Sequence, residues 1–147
     1  MTVKGDYDKL KAIIARVGAA ASGKLYERVK LAAAEQAVQL VQEGFREQRD
    51  PDMQPWQKLR RARKHGSIGS AKVLIDRGRL RASFTRQITR EGFRIGSAVG
   101  YATFHQKGTR RMVRRSMVPN GPLSAYWHAR MSRAIQRVPR IHFLNAR

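Results

Sequence analysis

Apolar residues mark out the first half of the chain as helical. Leu10, Ile13, Ile14 and Val17 recur at i, i+3, i+4 and i+7, which predicts a short amphipathic helix over 6–18. Asp6 is placed to cap it, and Asp8 falls in a first turn where negative charge suits the helix dipole. A longer stripe follows: Tyr26, Val29, Ala33, Ala37, Leu40, Val41, Gly44 and Phe45. It predicts a helix over 23–48 whose alanines let another element approach closely. Asp50-Pro51 stops it, because a residue before proline is pushed out of the helical region.

The second half is broken into shorter pieces. Residues 49–72 carry two prolines, two glycines and a run of bases with no period, so a long loop or arm is expected, anchored by Trp56 and Leu59. Over 73–98 the pattern turns strand-like. VLID is a short apolar run, and Leu80, Ala82, Phe84 and Ile88 fall on even positions. Phe93 and Ile95 alternate on the return, with Glu91-Gly92 as a two-residue turn and Gly92 free to take positive φ. Residues 109–121 read as a second loop. A helix is expected over 122–137, with Pro122 in its first turn and a stripe through Leu123, Tyr126, Trp127, Arg130, Met131, Ala134 and Ile135. Alternating Ile141 and Phe143 suggest an edge strand in the tail. These pieces predict one α+β domain, with N-terminal helices packed on a small antiparallel sheet and long basic loops. Its parts are a helical 1–48, a loop or arm over 49–72, and a sheet-containing basic part over 73–147.

Charge changes what this domain is expected to meet. The 147 residues hold 31 Lys and Arg against 10 Asp and Glu, a net of +21. The excess is one-sided: residues 1–57 carry nine bases and eight acids, whereas residues 58–147 carry twenty-two bases and only two acids, Asp76 and Glu91. A body so charged repels itself unless nucleic acid, an acidic protein or anionic lipid compensates. Nucleic acid leads, since neutralising phosphates releases counterions. Two clusters lie on predicted loops: Lys58, Arg60, Arg61, Arg63 and Lys64, then Lys107, Arg110, Arg111, Arg114 and Arg115. No recognition-helix, zinc-finger or aromatic-strand motif accompanies them, so binding through them would be salt-sensitive and independent of sequence. The plainer reading is a solvated loop, or one that pairs with acids on a neighbouring subunit.

Candidate catalytic chemistry is sparse. There is no cysteine, which excludes disulfides and thiolate zinc sites. His65, His105, His128 and His142 include no i, i+4 pair, and no phosphate-binding glycine loop or G-x-S-x-G elbow is present. No enzymatic activity, metal or cofactor is expected, and a hydrolase acting through His105 with Asp76 is the weakest reading. No apolar run approaches the roughly 18 residues of a membrane span, and MTVKGDYDKL lacks the apolar core of a signal peptide, so neither membrane insertion nor export by that route is expected.

Four stretches, in order, resemble one family. FREQRDPDMQPWQKL (45–59) resembles its F…D-P-x-G-x-x-W-x-x-L segment, with Met53 where Gly is frequent. LIDRGRLRASF (74–84) resembles L-x-D-(T or S)-G-x-L-(R or K)-x-S, with Arg77 in place of the small hydroxyl residue. VGYATFHQKG (99–108) resembles G-x-x-Y-A-x-x-H-Q-x-G. VPRIHFL (138–144) resembles I-P-A-R-P-F-L, departing from it at Arg140 and His142. The family is that of the phage virion morphogenesis, or tail completion, proteins of long-tailed bacteriophages and Mu-like prophages. The resemblance implies a non-enzymatic α+β structural protein, a homo-oligomeric ring subunit at the head–tail junction, with six-fold order favoured. Its implied neighbours are neck, portal-adaptor and tail proteins, with phage DNA as a candidate occupant of the lumen and no membrane partner. Its implied place is the virion neck or head-proximal tail end, after assembly in the host cytoplasm. The alternative is a free, sequence-independent nucleic-acid-binding protein.

The matching positions imply structural roles for Trp56, Leu59, Asp76, Gly78, Leu80, Ser83, Tyr101, Ala102, His105, Gly108, Pro139, Phe143 and Leu144. Within the third segment, Tyr101 and Phe104 would share a face if 101–106 is a helical turn, and that face is expected to plug the sheet. His105 is expected to satisfy a backbone group, and Gly108 to launch Arg110 and Arg111 outward.

Overall fold

The computed structural model describes residues 23–59 and 72–144, with side chains as far as Val138 in the last helix. The expected helix over 6–18 lies outside the described residues. The elements are α1 (Gly23–Glu47), a helical turn α2 (Arg79–Ala82), β1 (Phe84–Ile88), β2 (Phe93–Ser97), α3 (Ala102–Lys107) and α4 (Ala125–Leu144). The arrangement is α+β, with one two-stranded antiparallel sheet running in register from Phe84 opposite Ser97 to Ile88 opposite Phe93.

α1 is the spine. Its stripe buries Val29, Ala33, Ala37, Leu40, Val41 and Phe45, against α4 on one side and both strands on the other. Each large apolar side chain so buried contributes about 1.5–3 kcal/mol. α4 answers with Trp127, Met131 and Ile135, spaced four apart and all buried. Phe45 sits at the junction of the layers, 5.4 Å edge-on from Trp56 and 5.9 Å from Phe84 between ring centres. Arg130, the odd member of the α4 stripe, is explained by Glu43 on α1. Its guanidinium lies 3.2 Å from Glu43 Oε2, and Tyr126 Oη donates to Glu43 Oε1 at 2.8 Å. Burial, then the Glu43 carboxylate, pushes the Tyr126 phenol above its usual range, which keeps it a donor.

α1 ends before Asp50-Pro51. Gln48 adopts φ +61, and the Arg49 amide returns to the Gly44 carbonyl at 3.0 Å. At Gly44 the chain passes close: a Cβ would stand 3.0 Å from the Arg49 carbonyl oxygen, so a larger residue would have to displace this turn by a few tenths of an ångström. Met53, where the resembled pattern often has glycine, holds the left-handed conformation at φ +66. The Asp50 carboxylate ties that turn by accepting from the amides of Asp52 and Gln54.

Several sequence expectations are corrected. Val73 and Leu74 form a buried turn, not a strand. The backbone of Val73 is satisfied on both sides by the Gln48 side-chain amide, so it needs no strand partner. Leu80 and Ala82 belong to α2, which starts after Gly78 at φ +75; only Leu80 is buried, and one inward residue fits a helical turn as well as a strand. The hairpin connection spans four residues, 89–92, closed by the Thr89 amide on the Gly92 carbonyl at 2.9 Å, and Gly92 is not among the glycines of positive φ. α4 starts at Ala125 rather than Pro122, because Ser124 Oγ accepts from the Trp127 amide as an N-cap. It continues through Pro139 to Leu144, so the tail is helix and not an edge strand. The stripe that Trp127, Met131 and Ile135 begin carries on to Val138, which packs on the core.

An isolated two-stranded hairpin is marginal in water. Here α1 supports it at both ends. Phe84 and Ile95 are buried beneath it, and Lys30, 1% exposed, holds its tip. The Lys30 ammonium donates to the carbonyls of Thr89 (2.9 Å) and Arg90 (3.3 Å), pairs with Glu27 at 2.6 Å and lies 4.8 Å over the Tyr26 ring. Lys30→Met keeps the stem but strands both carbonyls. It is expected to lower stability by about 1.5–3 kcal/mol, the usual worth of hydrogen bonds to a charged group, measured by urea denaturation.

Candidate functional site

Three of the four resembled segments meet in space. α3 is the piece that joins them. It is short, and it is fixed by burying Ala102 and Gln106, one turn apart on its inner face. Gln106 is 2% exposed and uses every polar position of its amide. Nε2 donates to the Val118 carbonyl (2.6 Å) and to Asn120 Oδ1 (2.7 Å), while Oε1 accepts from the amides of Met117 (2.8 Å) and Val118 (3.3 Å). The loop after α3 is thereby pressed against the core, with Met117 and Val118 buried. From the other side, the Trp56 indole donates to the Ser116 carbonyl at 2.9 Å.

Tyr101 and Phe104 do not plug the sheet. They are 42% and 55% exposed, and Ala102 and Gln106 take the inward positions instead. Two aromatic rings three residues apart suggested a core face, but the small residue and the fully satisfied amide fit the shallow space where the rings would not.

Gly108 ends α3 at φ +75, ψ 171, a region nearly restricted to glycine. A Cβ there would lie 3.0 Å from the Arg114 nitrogen and 3.1 Å from its Cβ, so the loop can fold back only over glycine. Thr109 and Met112 then close a tight turn through two backbone hydrogen bonds, leaving Arg110 and Arg111 exposed at its tip. Lys58, Lys107 and Arg114 are also exposed. Lys58 joins Arg110 and Arg111 around a shallow recess of about 360 Å³, so the two basic clusters meet there through Lys58. Arg60, Arg61, Arg63 and Lys64 lie outside the described residues.

Arg115 departs from its cluster: it is 8% exposed. Its amide donates to the His105 carbonyl (2.8 Å) and its Nε to the Gln57 carbonyl (3.0 Å). Burial pushes the guanidinium below its usual range, and it remains a cation at neutral pH. It lies in the wall between the basic recess and a deeper cleft of about 390 Å³. The cleft is lined by Leu59, Val73, Leu74 and Leu80 on its apolar side and by Asp76, Arg77, Gly78, Arg79, Tyr101 and His105 elsewhere. Leu74 holds φ +63, a conformation that is strained for a bulky side chain. Near the cleft, Ser83 Oγ donates to the Leu80 carbonyl and shares a 2.6 Å bond with Ser97 Oγ, fixing α2 to β2. Pro139 and Phe143–Leu144 fall in the last turns of α4, beyond the described side chains.

His105 and Asp76 line the same cleft but are not hydrogen-bonded to each other, and His105 Nδ1 is buried without a partner. The expected backbone contact of the His105 side chain is absent; its carbonyl makes the contact, to Arg115. Burial first, and the Arg115 charge second, push the imidazole below its ordinary value of 6.5, so it is neutral at pH 7. No group among the described residues orients the His105 imidazole through Nδ1. Among the described residues no cluster of His, Asp or Glu could hold a metal ion, and no helix is long and apolar enough to cross a membrane. Sequence reading missed Gln106, although it stands inside a quoted motif; the available signal was a polar side chain four residues after Ala102 on the same helical face.

A model of the phage virion morphogenesis family matches residues 6–133 of the chain. Comparisons with curated proteins and with solved structures find no match.

Gly108→Ala is expected to cost about 1–3 kcal/mol in thermal or urea unfolding, because the new methyl meets the Arg114 backbone in a conformation alanine avoids. For His105, the folded state binds the proton less readily than the unfolded state. Its contribution is therefore present above pH 6.5 and lost as pH falls through that value toward the folded one. Unfolding measured from neutral pH down to about pH 5 should show a shallower loss in His105→Gln than in the parent chain.

Proposed function

We propose that this chain, which belongs to the phage virion morphogenesis family, is a non-enzymatic structural subunit that assembles as a homo-oligomeric ring at the head–tail junction. Family membership gives it a role in building the phage particle, and the family match across most of the chain is the observation that carries the reading. Three features support the finer placement. The chain is strongly basic, with the excess in residues 58–147. Arg110 and Arg111 stand at the tip of a turn that glycine and the Gln106 network hold in place, so the charge is presented outward on a fixed loop. Exposed Tyr101 just before α3, Phe104 on α3 and Leu31 on α1 offer apolar surface for neighbours. In a ring surrounding the DNA path, such turns would meet either phosphates in the lumen or acidic proteins above and below.

The second reading, a free nucleic-acid-binding protein, draws on the same recess of Lys58, Arg110 and Arg111. Its affinity for duplex DNA would fall steeply with salt, and each lost phosphate contact would reduce the salt slope by about 1.

Light scattering and negative-stain imaging of the purified chain are expected to show a ring, six-fold by preference. Phage carrying Arg110→Glu with Arg111→Glu are expected to yield heads and tails that fail to join. A chain that stays monomeric at all concentrations and is absent from purified virions contradicts the proposal. Loss of duplex binding in that double variant with normal particle yield favours the second reading instead.

A further inference from the structure

Among the described residues two cations are buried, Lys30 and Arg115, and Arg130 is partly covered. Lys30 has Glu27 and two carbonyls, and Arg130 has Glu43. Arg115 is more deeply buried than Arg130, yet its only side-chain partner is the Gln57 carbonyl at Nε. None of the ion pairs among the described residues involves Arg115. The terminal nitrogens of Arg115 are not among the buried atoms left without a partner, so they reach the surface, and the fork is available there for an oxyanion. Arg115 lines both the 390 Å³ cleft and the basic recess.

We infer that the cleft between α2 and α3 is a docking site for an acidic segment of a different protein, which places a carboxylate on Arg115 and an adjacent apolar side chain on Leu59, Leu74 and Leu80. Arg77 and Arg79 line the same cleft and add attraction at its rim. The apolar floor selects a peptide over duplex DNA, whose phosphates lie on a broad outer surface and bring no apolar group to fill such a floor. Charge selects an acidic segment of another protein, because Arg77, Arg79 and Arg115 outnumber Asp76 in the lining, while Glu27, Glu35 and Glu43 of a second copy are already paired within their own chain. The inference rests on the structural-subunit reading only in taking the partner to be a protein.

Three probes test it on the full chain at physiological ionic strength: a short fluorescent peptide of alternating Glu and Leu, the matching Gln–Leu peptide, and duplex DNA. The Glu–Leu peptide should bind about tenfold more tightly than the Gln–Leu peptide, the scale of one charge-assisted hydrogen bond. Arg115→Gln should erase that margin and leave duplex affinity unchanged. If Arg115→Gln does not fold, Arg77→Gln with Arg79→Gln, both on exposed residues, should still weaken the Glu–Leu peptide severalfold. Equal binding of both peptides by the parent chain overturns the inference, as does an Arg115→Gln chain that loses duplex DNA but still discriminates between the peptides. Dissociation of the homo-oligomer by the Glu–Leu peptide would assign the cleft to a second copy and overturn the choice of partner. Ring formation by the chain without peptide is read separately by light scattering, so failure here is separable from failure of the functional reading.

Discussion

The Gln106 amide is the constraint on which the site depends. One buried side chain satisfies two backbone amides, a carbonyl and the Asn120 side chain, and so presses the 113–120 loop onto the core. Without it, the amides of Met117 and Val118 and the Val118 carbonyl would be left in a dry setting, each costing on the order of 1–3 kcal/mol. The loop position then fixes everything downstream. Ser116 is set to receive the Trp56 indole, Arg115 is drawn under the surface beside His105, and the Arg110-Arg111 turn is carried outward beyond Gly108. Buried polar networks of this type, when fully satisfied, specify one arrangement rather than adding much net stability.

A second theme is how a chain so basic folds at all. Its few acids are concentrated in the first 57 residues, and several of those on α1 are spent on internal cations. Glu43 serves Tyr126 and Arg130, Glu27 serves Lys30, and Glu35 lies 3.1 Å from Arg86. Glu43 and Glu35 hold α4 and the hairpin to α1, and Lys30 carries the Glu27 pair to the hairpin tip, so charge pairing follows the same layers as apolar packing. Of the other described cations, Lys58, Arg77, Arg79, Lys107, Arg110, Arg111 and Arg114 are exposed, and in the proposed reading assembly partners balance them. The self-repulsion of residues 58–147 thus links the fold to the function proposed for it.

The helices were legible because their signal is long. The α1 stripe, from Tyr26 to Phe45, extends over about five and a half turns, and its predicted burial holds at Val29, Ala33, Ala37, Leu40, Val41 and Phe45. β1 and β2 were legible from alternation, and Trp56 from its isolation in a loop. What failed were the short elements, where one or two inward residues suit either period. Leu80 fits α2 as well as a strand, and Ile141 and Phe143 fit a continuing helix as well as an edge. The candidate site was legible in part. Motif spacing pointed to Leu59, Leu80, Tyr101 and His105, which do line one cleft. The burial of Arg115 and the roles of Gln106, Gln48 and Lys30 were not legible, because they depend on which distant backbone groups lack partners, and no local pattern records that.

The central claim is that Gln106, through its side-chain amide, holds the loop that builds the site. Hydrogen exchange in a Gln106→Met chain tests it most directly, since methionine keeps the volume and removes the hydrogen bonds. The account predicts that the amides of Met117 and Val118 exchange about tenfold faster or more, while those of Val41 and Phe45 in α1 keep their protection. Unchanged protection at Met117 and Val118 would show that apolar packing alone holds the loop, and would contradict the account.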